Sequence, residues 1–249
     1  MSVTQGGRTD FNGTVSVNNF ASAAASACLD LTSTTQGALL PRMTTTQQNA
    51  ISSPATGLTI YNTTTNTLST YNGSAWNQSG TTLISSQVLG APAASVVFSS
   101  IPQTFNNLRV VCQGRCSDTS GSSSTIGVSF NGDTGASQYH YEYVTFVSTS
   151  IASISGSRAN LFCFQFANAT AGTAAGDSGG GEMVIPNYTG TTFNKTMTST
   201  TAGTNANAGY LALFSGYWNS TAAITSMTFT DTAGGNFSTG TTFYLYGMI

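Results

Sequence analysis

The last nine residues, 241–249, read "TTFYLYGMI", a run dominated by aromatic and aliphatic side chains. Such residues are enriched in β-strands, and a run this apolar suits a central strand of a sheet. From about residue 83 the chain keeps this character, because apolar and polar residues alternate in short runs divided by Gly, Ser, Thr and Asn. The runs recur at close to the spacing of about 8–12 residues that is typical of β-sandwiches.

The alternation therefore predicts an all-β fold, with a C-terminal antiparallel jelly-roll sandwich over 81–249. The predicted strands are 83–89, 94–100, 106–116, 123–131, 138–148, 159–167, 181–186, 192–200, 209–219, 222–230 and 240–248.

Loops between these strands suggest where a binding surface lies. If each connection reverses the chain, alternate loops share one end of the sandwich, and binding loops often sit together on such a scaffold. We expect one end to carry the polar loops 131–137, 167–180, 201–208 and 231–238. The receptor-binding candidates on them are Asn131, Asp133, Tyr139, Asn205, Asn207, Asn236 and Phe237.

Composition limits the classes of function. Only 6% of the 249 residues are charged, with 6 Lys+Arg and 8 Asp+Glu, against about 25% in an average domain. The basic residues are scattered, so we expect no nucleic-acid partner. No run approaches the ~20 apolar residues of a membrane span. Since the first residues do not resemble a secretion signal, we expect folding in a cytoplasm.

The N-terminal part reads as two segments. Residues 1–40 have weak periodicity and are expected to form an N-terminal anchor. Within it, "NNFASAAASACLDL" at 18–31 could be a short helix, an extended strand or a segment ordered only by a partner. In 41–80, Thr44 or Thr45 followed three residues later by Gln47 or Gln48 is a capping-box pattern that predicts one short helix. The stretch "LTIYNTTTNTLSTYN" at 58–72 then predicts strand, turn and strand.

A lone hairpin is marginal in water, so this predicted neck needs a surface to pack on. The residues expected to pack against other chains are Ile60, Tyr61, Tyr71 and Trp76.

Two motifs resemble protease signatures. "GDSGGG" at 176–181 is similar to the sequence around the nucleophile of chymotrypsin-like enzymes, and "DTG" at 133–135 to that of aspartic proteases. The first needs a His and an Asp in a triad, but His140 is the one histidine and Glu142 and Asp177 are the acidic residues that follow it before Ser178. The second needs two paired Asp, and the partner of Asp133 could be Asp177 in "DSG" at 177–179 or Asp133 of another subunit. Flexible loop and turn are the favoured interpretations, and Asn131-Gly132 is a hairpin-turn signal.

The cysteine and aromatic residues limit which disulfides, metal sites and sugar-binding sites the chain can form. Cys112 and Cys116 lie four apart on a predicted strand, about 13 Å between their Cα atoms, too far for a disulfide. We expect reduced cysteines, no zinc, no cofactor and no catalytic activity. Exposed aromatic residues could stack on sugar rings, although a core or interface position is the commoner one. The aromatic candidates are Tyr139, Tyr210, Tyr217, Trp218 and Phe237.

A family resemblance adds to these predictions. Residues 29–76, "LDLTSTTQGALLPRMTTTQQNAISSPATGLTIYNTTTNTLSTYNGSAW", resemble a module common in tailed-phage fibre and other virion proteins. Residues 96–110, "VVFSSIPQTFNNLRV", and 130–141, "FNGDTGASQYHY", resemble a β-domain of phage structural proteins.

The resemblance implies a non-enzymatic virion protein, assembled in the host cytoplasm as a homotrimer with a distal jelly roll similar to tumour-necrosis-factor-like trimers. It implies attachment to other virion proteins through the N-terminus. The expected function is that of a tail fibre whose distal loops bind a host receptor, with a glycan among the possibilities. The alternative is a capsid decoration or head-fibre protein anchored to the shell by its N-terminus.

Overall fold

The computed structural model describes residues 15–17, 29–31, 33–78, 80–119, 123–147, 150–169, 176–205 and 208–248. These residues form antiparallel β-sheets, two short parallel pairings and one small helix. They fall into two compact units divided between Trp76 and Asn77. The all-β prediction is confirmed. The finer division at residue 40 stays a prediction, and most of the predicted anchor lies outside the described residues. No helix among the described residues has the length and hydropathy needed to cross a membrane.

The first unit contains two small sheets. One is a parallel pair, and the other has the strand order β3-β4-β5-β6. The elements are β1 (Val15–Val17), β2 (Leu29–Leu31), β3 (Arg42–Met43), α1 (Thr45–Asn49), β4 (Thr59–Asn62), β5 (Thr67–Tyr71) and β6 (Trp76–Gln78), the last of which begins at the final residue of this unit.

Helix α1 begins at a capping box. The Thr44 hydroxyl accepts from the backbone N–H of Gln47 at 3.3 Å, and the Gln47 side chain accepts from the backbone N–H of Thr44 at 2.9 Å. These two bonds satisfy donors that the first turn of a helix leaves without partners. The capping-box prediction is confirmed at Thr44 and Gln47.

Polar side chains fill much of the interior of the first unit. Ile60 is its only fully buried apolar side chain among the described residues. Beside it, the Asn62 amide donates to Oε1 of Gln48 at 2.8 Å, and both side chains are buried. Since apolar burial is the main source of stability, this unit has little to hold it together as a single chain.

The second unit is a sandwich of an eight-stranded and a four-stranded sheet. The large sheet has the order β12-β11-β16-β15-β14-β9-β18-β7, and the small sheet has the order β13-β10-β17-β8. The strands are β7 (Thr81–Val88), β8 (Ser95–Phe98), β9 (Asn107–Gly114), β10 (Ser123–Phe130), β11 (Tyr139–Val147), β12 (Ser150–Arg158), β13 (Leu161–Ala167), β14 (Gly179–Pro186), β15 (Lys195–Asn205), β16 (Ala208–Trp218), β17 (Met227–Asp231) and β18 (Thr242–Met248).

The chain passes repeatedly between the two sheets. Without the antiparallel pairs β11–β12 and β15–β16, the large sheet would read β7-β18-β9-β14 and would face β8-β17-β10-β13. The two pairs extend the large sheet beyond β14. Strand β18 pairs with both β9 and β7, so the apolar C-terminal run lies inside the sheet as predicted.

Alternating side chains from both sheets build one core. On β18, Phe243 and Leu245 are fully buried while their neighbours are half-buried. On β9, Leu108, Val110 and Cys112 alternate with more exposed residues in the same way. Cys112, Cys116 and Cys163 are buried and unbridged, and burial raises the pKa of each thiol.

Strand β12 is absent from the prediction, which left 148–159 as a loop. Its sequence is rich in Ser and every residue in it is exposed, so it has no buried alternation to reveal it. The predicted loop 201–208 is also wrong, because β15 continues to Asn205 and pairs with β16 as far as Ala208.

The missed strand changes which loops share an end. One end, here called the Asn131 end, carries loops 99–106, 131–138, 187–194 and 219–226, because Tyr139, Trp218 and Lys195 stand side by side across β11, β16 and β15. The opposite Asn236 end carries 89–94, 115–119, 176–178 and 232–241. The expectation that 131–137 joins 231–238 is therefore wrong, since β12 adds one reversal between them.

Candidate functional site

A tight turn opens the loop of the Asn131 end. Asn131 and Gly132 have φ of 52° and 71°, and the backbone N–H of Asp133 donates to the carbonyl of Phe130 at 2.9 Å. Positive φ at both central positions is the pattern of a type I′ turn. The predicted turn is confirmed, but it is not a hairpin, because β10 and β11 belong to different sheets.

The Asn131 side chain fastens a neighbouring loop. Its Oδ1 accepts from the backbone N–H of Thr225 at 2.8 Å and of Ser226 at 3.1 Å, and its Nδ2 donates to the carbonyl of Ala223 at 2.8 Å. The amide is therefore occupied within the chain. Asn131 shapes this end, and its side chain has little capacity left for a receptor.

Asp133 is bound within its own chain in the same way. Its Oδ2 accepts from Nε1 of Trp218 at 2.7 Å, and its Oδ1 accepts from the backbone N–H of Gly135 at 3.0 Å. Its carbonyl accepts from the hydroxyl of Tyr139 at 2.9 Å. Burial raises the pKa of Tyr139 to about 12. Tyr139 is fully buried, so its predicted place on an exposed receptor surface is wrong.

A buried lysine ties two further loops of this end together. The ammonium of Lys195 donates to the carbonyls of Gly190, Phe193 and Thr221. These three acceptors match its three protons, and burial lowers its pKa. The side chain of Phe193, in contrast, is 75% exposed. The Asn131 end is thus a braced platform that presents an aromatic ring, a residue that the sequence analysis did not single out.

A groove of about 490 Å³ lies on the outer face of the large sheet, beside this end. Tyr139 and Tyr141 point into the sandwich, so the alternating His140 and Glu142 point outward. His140 pairs directly with Tyr217 on β16, and their rings stack with centroids 4.7 Å apart and planes 13° apart. The lining residues are His140, Tyr141, Glu142, Ser155, Gly156, Ser157, Ser215, Gly216 and Tyr217.

Among the five aromatic residues considered for sugar stacking, Tyr217 is the exposed one, at 37%. The other four lie in the core of the sandwich, as the commoner interpretation for aromatic residues expects. They are Tyr139, Tyr210, Trp218 and Phe237.

The Asn236 end holds the remaining receptor candidates. Asn236 is exposed, and its backbone exchanges hydrogen bonds with Ser117 at 2.8 and 2.9 Å. Phe237 is fully buried against Phe166 and Phe243, so its predicted exposure is wrong. Asn205 lies at the end of β15, and Asn207 lies outside the described residues.

The neck candidates divide between the two faces of their sheet. Ile60 is buried within its own unit, so it is not available to other chains. Tyr61 points to the opposite face and pairs directly with the exposed Leu68. Tyr71 and Trp76 are half-buried, with ring centroids 5.5 Å apart. Tyr61, Tyr71 and Trp76 stay candidates for contacts between chains.

The protease-like motifs are not assembled within the chain. The backbone N–H of Thr204 donates to the carbonyl of Ser178, whereas His140 lies level with Thr196 through Tyr217. Thr196 and Thr204 are about 26 Å apart along β15 at the usual rise. Asp133 and Asp177 likewise lie at opposite ends. The described residues also contain no group of three or more His, Cys, Asp and Glu that could hold a metal ion.

Comparison with known proteins gives one match. Residues 16–94 match the family model of a phage tail-like trimerisation region. The matched segment includes the helix, β3 to β6 and β7. It supports a phage tail-type protein, a virion component, that forms homo-oligomers. No curated protein and no solved structure matches the chain.

Proposed function

We propose that this chain is a homotrimeric phage tail fibre that binds the host cell surface through its C-terminal sandwich. The observation that carries the proposal is the match of residues 16–94 to a phage tail-like trimerisation region. In the proposed arrangement the N-terminal segment attaches to other virion proteins. The sandwich, which lies almost wholly outside the matched segment, is then the part that meets the host.

The first unit supports a trimer because it buries so little apolar surface alone. Ile60 is its single fully buried apolar side chain among the described residues, while Leu68 is 50% exposed next to Tyr61. Small units with too little core are usually completed by oligomerisation. Burying Tyr61 and Leu68 between three chains would supply the missing apolar contacts.

The second unit offers a further apolar patch for contacts between copies. Phe146 pairs directly with Leu211 on one side and Ile151 on the other, and all three are exposed on the outer face of the large sheet. Val144 pairs with the exposed Leu213 in the next row. A second copy of the chain is the proposed occupant, in keeping with the trimerisation match, and the groove lies beyond this patch along the same strands.

We also propose to class the sandwich as a jelly roll, like those of tumour-necrosis-factor-like trimers. The support is the strand order β7-β18-β9-β14 facing β8-β17-β10-β13, which remains when the two added strand pairs are set aside. A jelly roll has eight strands in two such sheets. Proteins of this shape leave loops clustered at two ends, which suits recognition at one end.

The Asn131 end supports surface binding because its loops are braced from inside. The side chains of Asn131, Asp133 and Lys195 form hydrogen bonds within the chain, and these bonds hold the loops in place. Such bracing reduces the ordering cost of binding. Phe193 and the groove of Tyr217 are the exposed aromatic surfaces on or beside this platform.

Imaging of intact virions tests the proposal. A gold label on the C-terminus is expected at the tail, in a few tens of copies or fewer. A label spread over the head, in hundreds of copies, would instead support a capsid decoration or head-fibre protein anchored to the shell by its N-terminus.

A further inference from the structure

We propose that the groove of His140 and Tyr217 is a binding subsite for a neutral sugar ring, such as a hexose of a surface glycan. This inference rests on the proposed function, because it names the ligand class for host-surface binding. It differs from the loop candidates of the sequence analysis in placing the site on a sheet face. Strands β12 and β16 supply two thirds of the lining residues, and β12 was not predicted at all.

An aromatic platform is the first part of the site. The stacked rings of His140 and Tyr217 stand side by side on adjacent strands, 4.7 Å apart. Each ring supports the other, so neither has to be ordered when a ligand arrives. Tyr217 remains 37% exposed. Because stacking covers the facing sides of the two rings, the apolar C–H face of a sugar packs on an outer side of the pair, which still offers contact area at low conformational cost.

Hydrogen-bonding groups lie one step along the same strands. Glu142 pairs directly with Ser215 on one side and Ser155 on the other, and Ser157 lies beside His140. A carboxylate has two acceptor oxygens, and each serine hydroxyl both donates and accepts. A sugar presents adjacent hydroxyls at similar spacing. These side chains therefore lie next to the aromatic pair, where they can form hydrogen bonds with the hydroxyl groups around a sugar ring.

Charge selects among sugars. The groove lining includes the carboxylate Glu142 and no Lys or Arg. An anionic sugar would place its carboxylate near Glu142 with no Lys or Arg in the lining to offset the repulsion. A neutral ring meets no such cost. The site is thus suited to neutral sugars over uronic or sialic acids.

Saturation-transfer NMR on the full-length protein tests the subsite with a matched pair of probes. Glucose, galactose and N-acetylglucosamine serve as neutral probes, and glucuronic acid is the anionic counterpart of glucose. We expect transfer to at least one neutral probe and at least about fivefold weaker binding of glucuronic acid than of glucose. Tyr217→Ala should weaken the neutral probe about tenfold or more, whereas Tyr217→Phe, which keeps the ring, should stay within about threefold.

Two further variants complete the design. Glu142→Gln should narrow the difference between glucose and glucuronic acid. Tyr246→Ala is the matched control, because Tyr246 lies on the outer face of the same sheet but on β18, away from the groove. Each variant is checked for unchanged oligomer mass and melting temperature.

Absence of transfer to every neutral probe overturns the proposal, and so does binding that Tyr217→Ala leaves unchanged. Whole-cell binding separates this failure from failure of the proposed function. If the full-length protein binds host cells equally well with and without Tyr217, the subsite is wrong and host attachment stands. If the wild-type protein does not bind host cells, host attachment itself is wrong.

Discussion

Nε1 of Trp218 donates a 2.7 Å hydrogen bond to Oδ2 of Asp133, which joins the end of β16 to the loop that follows β10. The Trp218 ring is buried and stacks on Tyr139 with centroids 6.3 Å apart. An indole N–H inside a protein needs an acceptor. Asp133, which the sequence offered as a receptor contact, supplies that acceptor.

Asp133→Ala should therefore destabilise the fold. The Trp218 N–H would lose its partner, at a cost of about 1–3 kcal/mol. Asp133→Asn keeps an acceptor oxygen and should lose less. Urea unfolding followed by Trp fluorescence measures both. Host-cell binding of folded Asp133→Asn should equal that of wild type, and a selective loss of binding with unchanged stability would contradict the structural role.

Asn131 should respond to substitution in two separable ways. Its φ of 52° suits glycine better than alanine, while its amide holds Ala223 and Thr225. We expect Asn131→Gly and Asn131→Ala both to lower the melting temperature. The free energy of unfolding should be lower for Asn131→Ala than for Asn131→Gly by about 1 kcal/mol, because alanine also bears the cost of the left-handed backbone conformation. Equal stability of Asn131→Gly and wild type would show that these side-chain bonds contribute nothing.

Asp231 makes stability depend on pH. Burial raises the pKa of this carboxyl above its ordinary value of 3.8, and the charge of nearby Asp118 adds to the effect. The folded state therefore binds the proton more tightly than the unfolded chain. Stability should fall as pH rises from 3.8 through the raised pKa of the folded state.

Asp231→Asn should remove this pH-dependent cost. Its Oδ1 can still accept from the backbone N–H of Ala233, as the carboxylate does at 3.0 Å. The variant should melt higher than wild type at pH 7, and the advantage should disappear in acid. Glu182→Gln, which alters the exposed pair with Arg109, is the control with little expected change. A variant less stable than wild type at pH 7 would refute this account of Asp231.

The apolar patch on β11, β12 and β16 should contribute to the trimer. Ile151 is 70% exposed, so Ile151→Ser should leave the fold of one chain intact. We expect it to shift the oligomer toward monomer in sedimentation at low micromolar concentration. Val97→Ser, at a valine that is 47% exposed on β8 of the small sheet, is the matched control. If the variant remains a trimer, the patch does not contribute, and the contacts between copies are assigned to the N-terminal unit.

Some strands of the sandwich could be predicted from the sequence and one could not. Buried alternation made β9 and β18 predictable, a continuous apolar run did the same for β13, and Asn131-Gly132 marked its turn. Strand β12 could not be found, because "SIASISGSR" is exposed throughout and is held by pairing with β11 alone. That omission reversed the end assigned to loop 131–137.

The candidate site was less predictable than the fold. Among the aromatic candidates, exposure is decided by which face of a strand packs on the second sheet, and only tertiary structure settles that. Tyr217 and Trp218 are neighbours in sequence, yet one is exposed and the other is buried. His140 and Ser157 line the same groove only because β12 pairs with β11, and β12 was not predicted. The exposed position of Phe193 depends on the hydrogen bonds of Lys195, which join two loops that are distant in sequence.

Competition for adsorption tests the central claim most directly. Host cells are incubated with the purified full-length trimer, washed, and exposed to the phage that carries it, and the rate of phage adsorption is measured. We predict that saturating trimer slows adsorption severalfold and that the Tyr246→Ala control competes as well as wild type. Adsorption at the normal rate in the presence of saturating trimer would contradict host-surface binding.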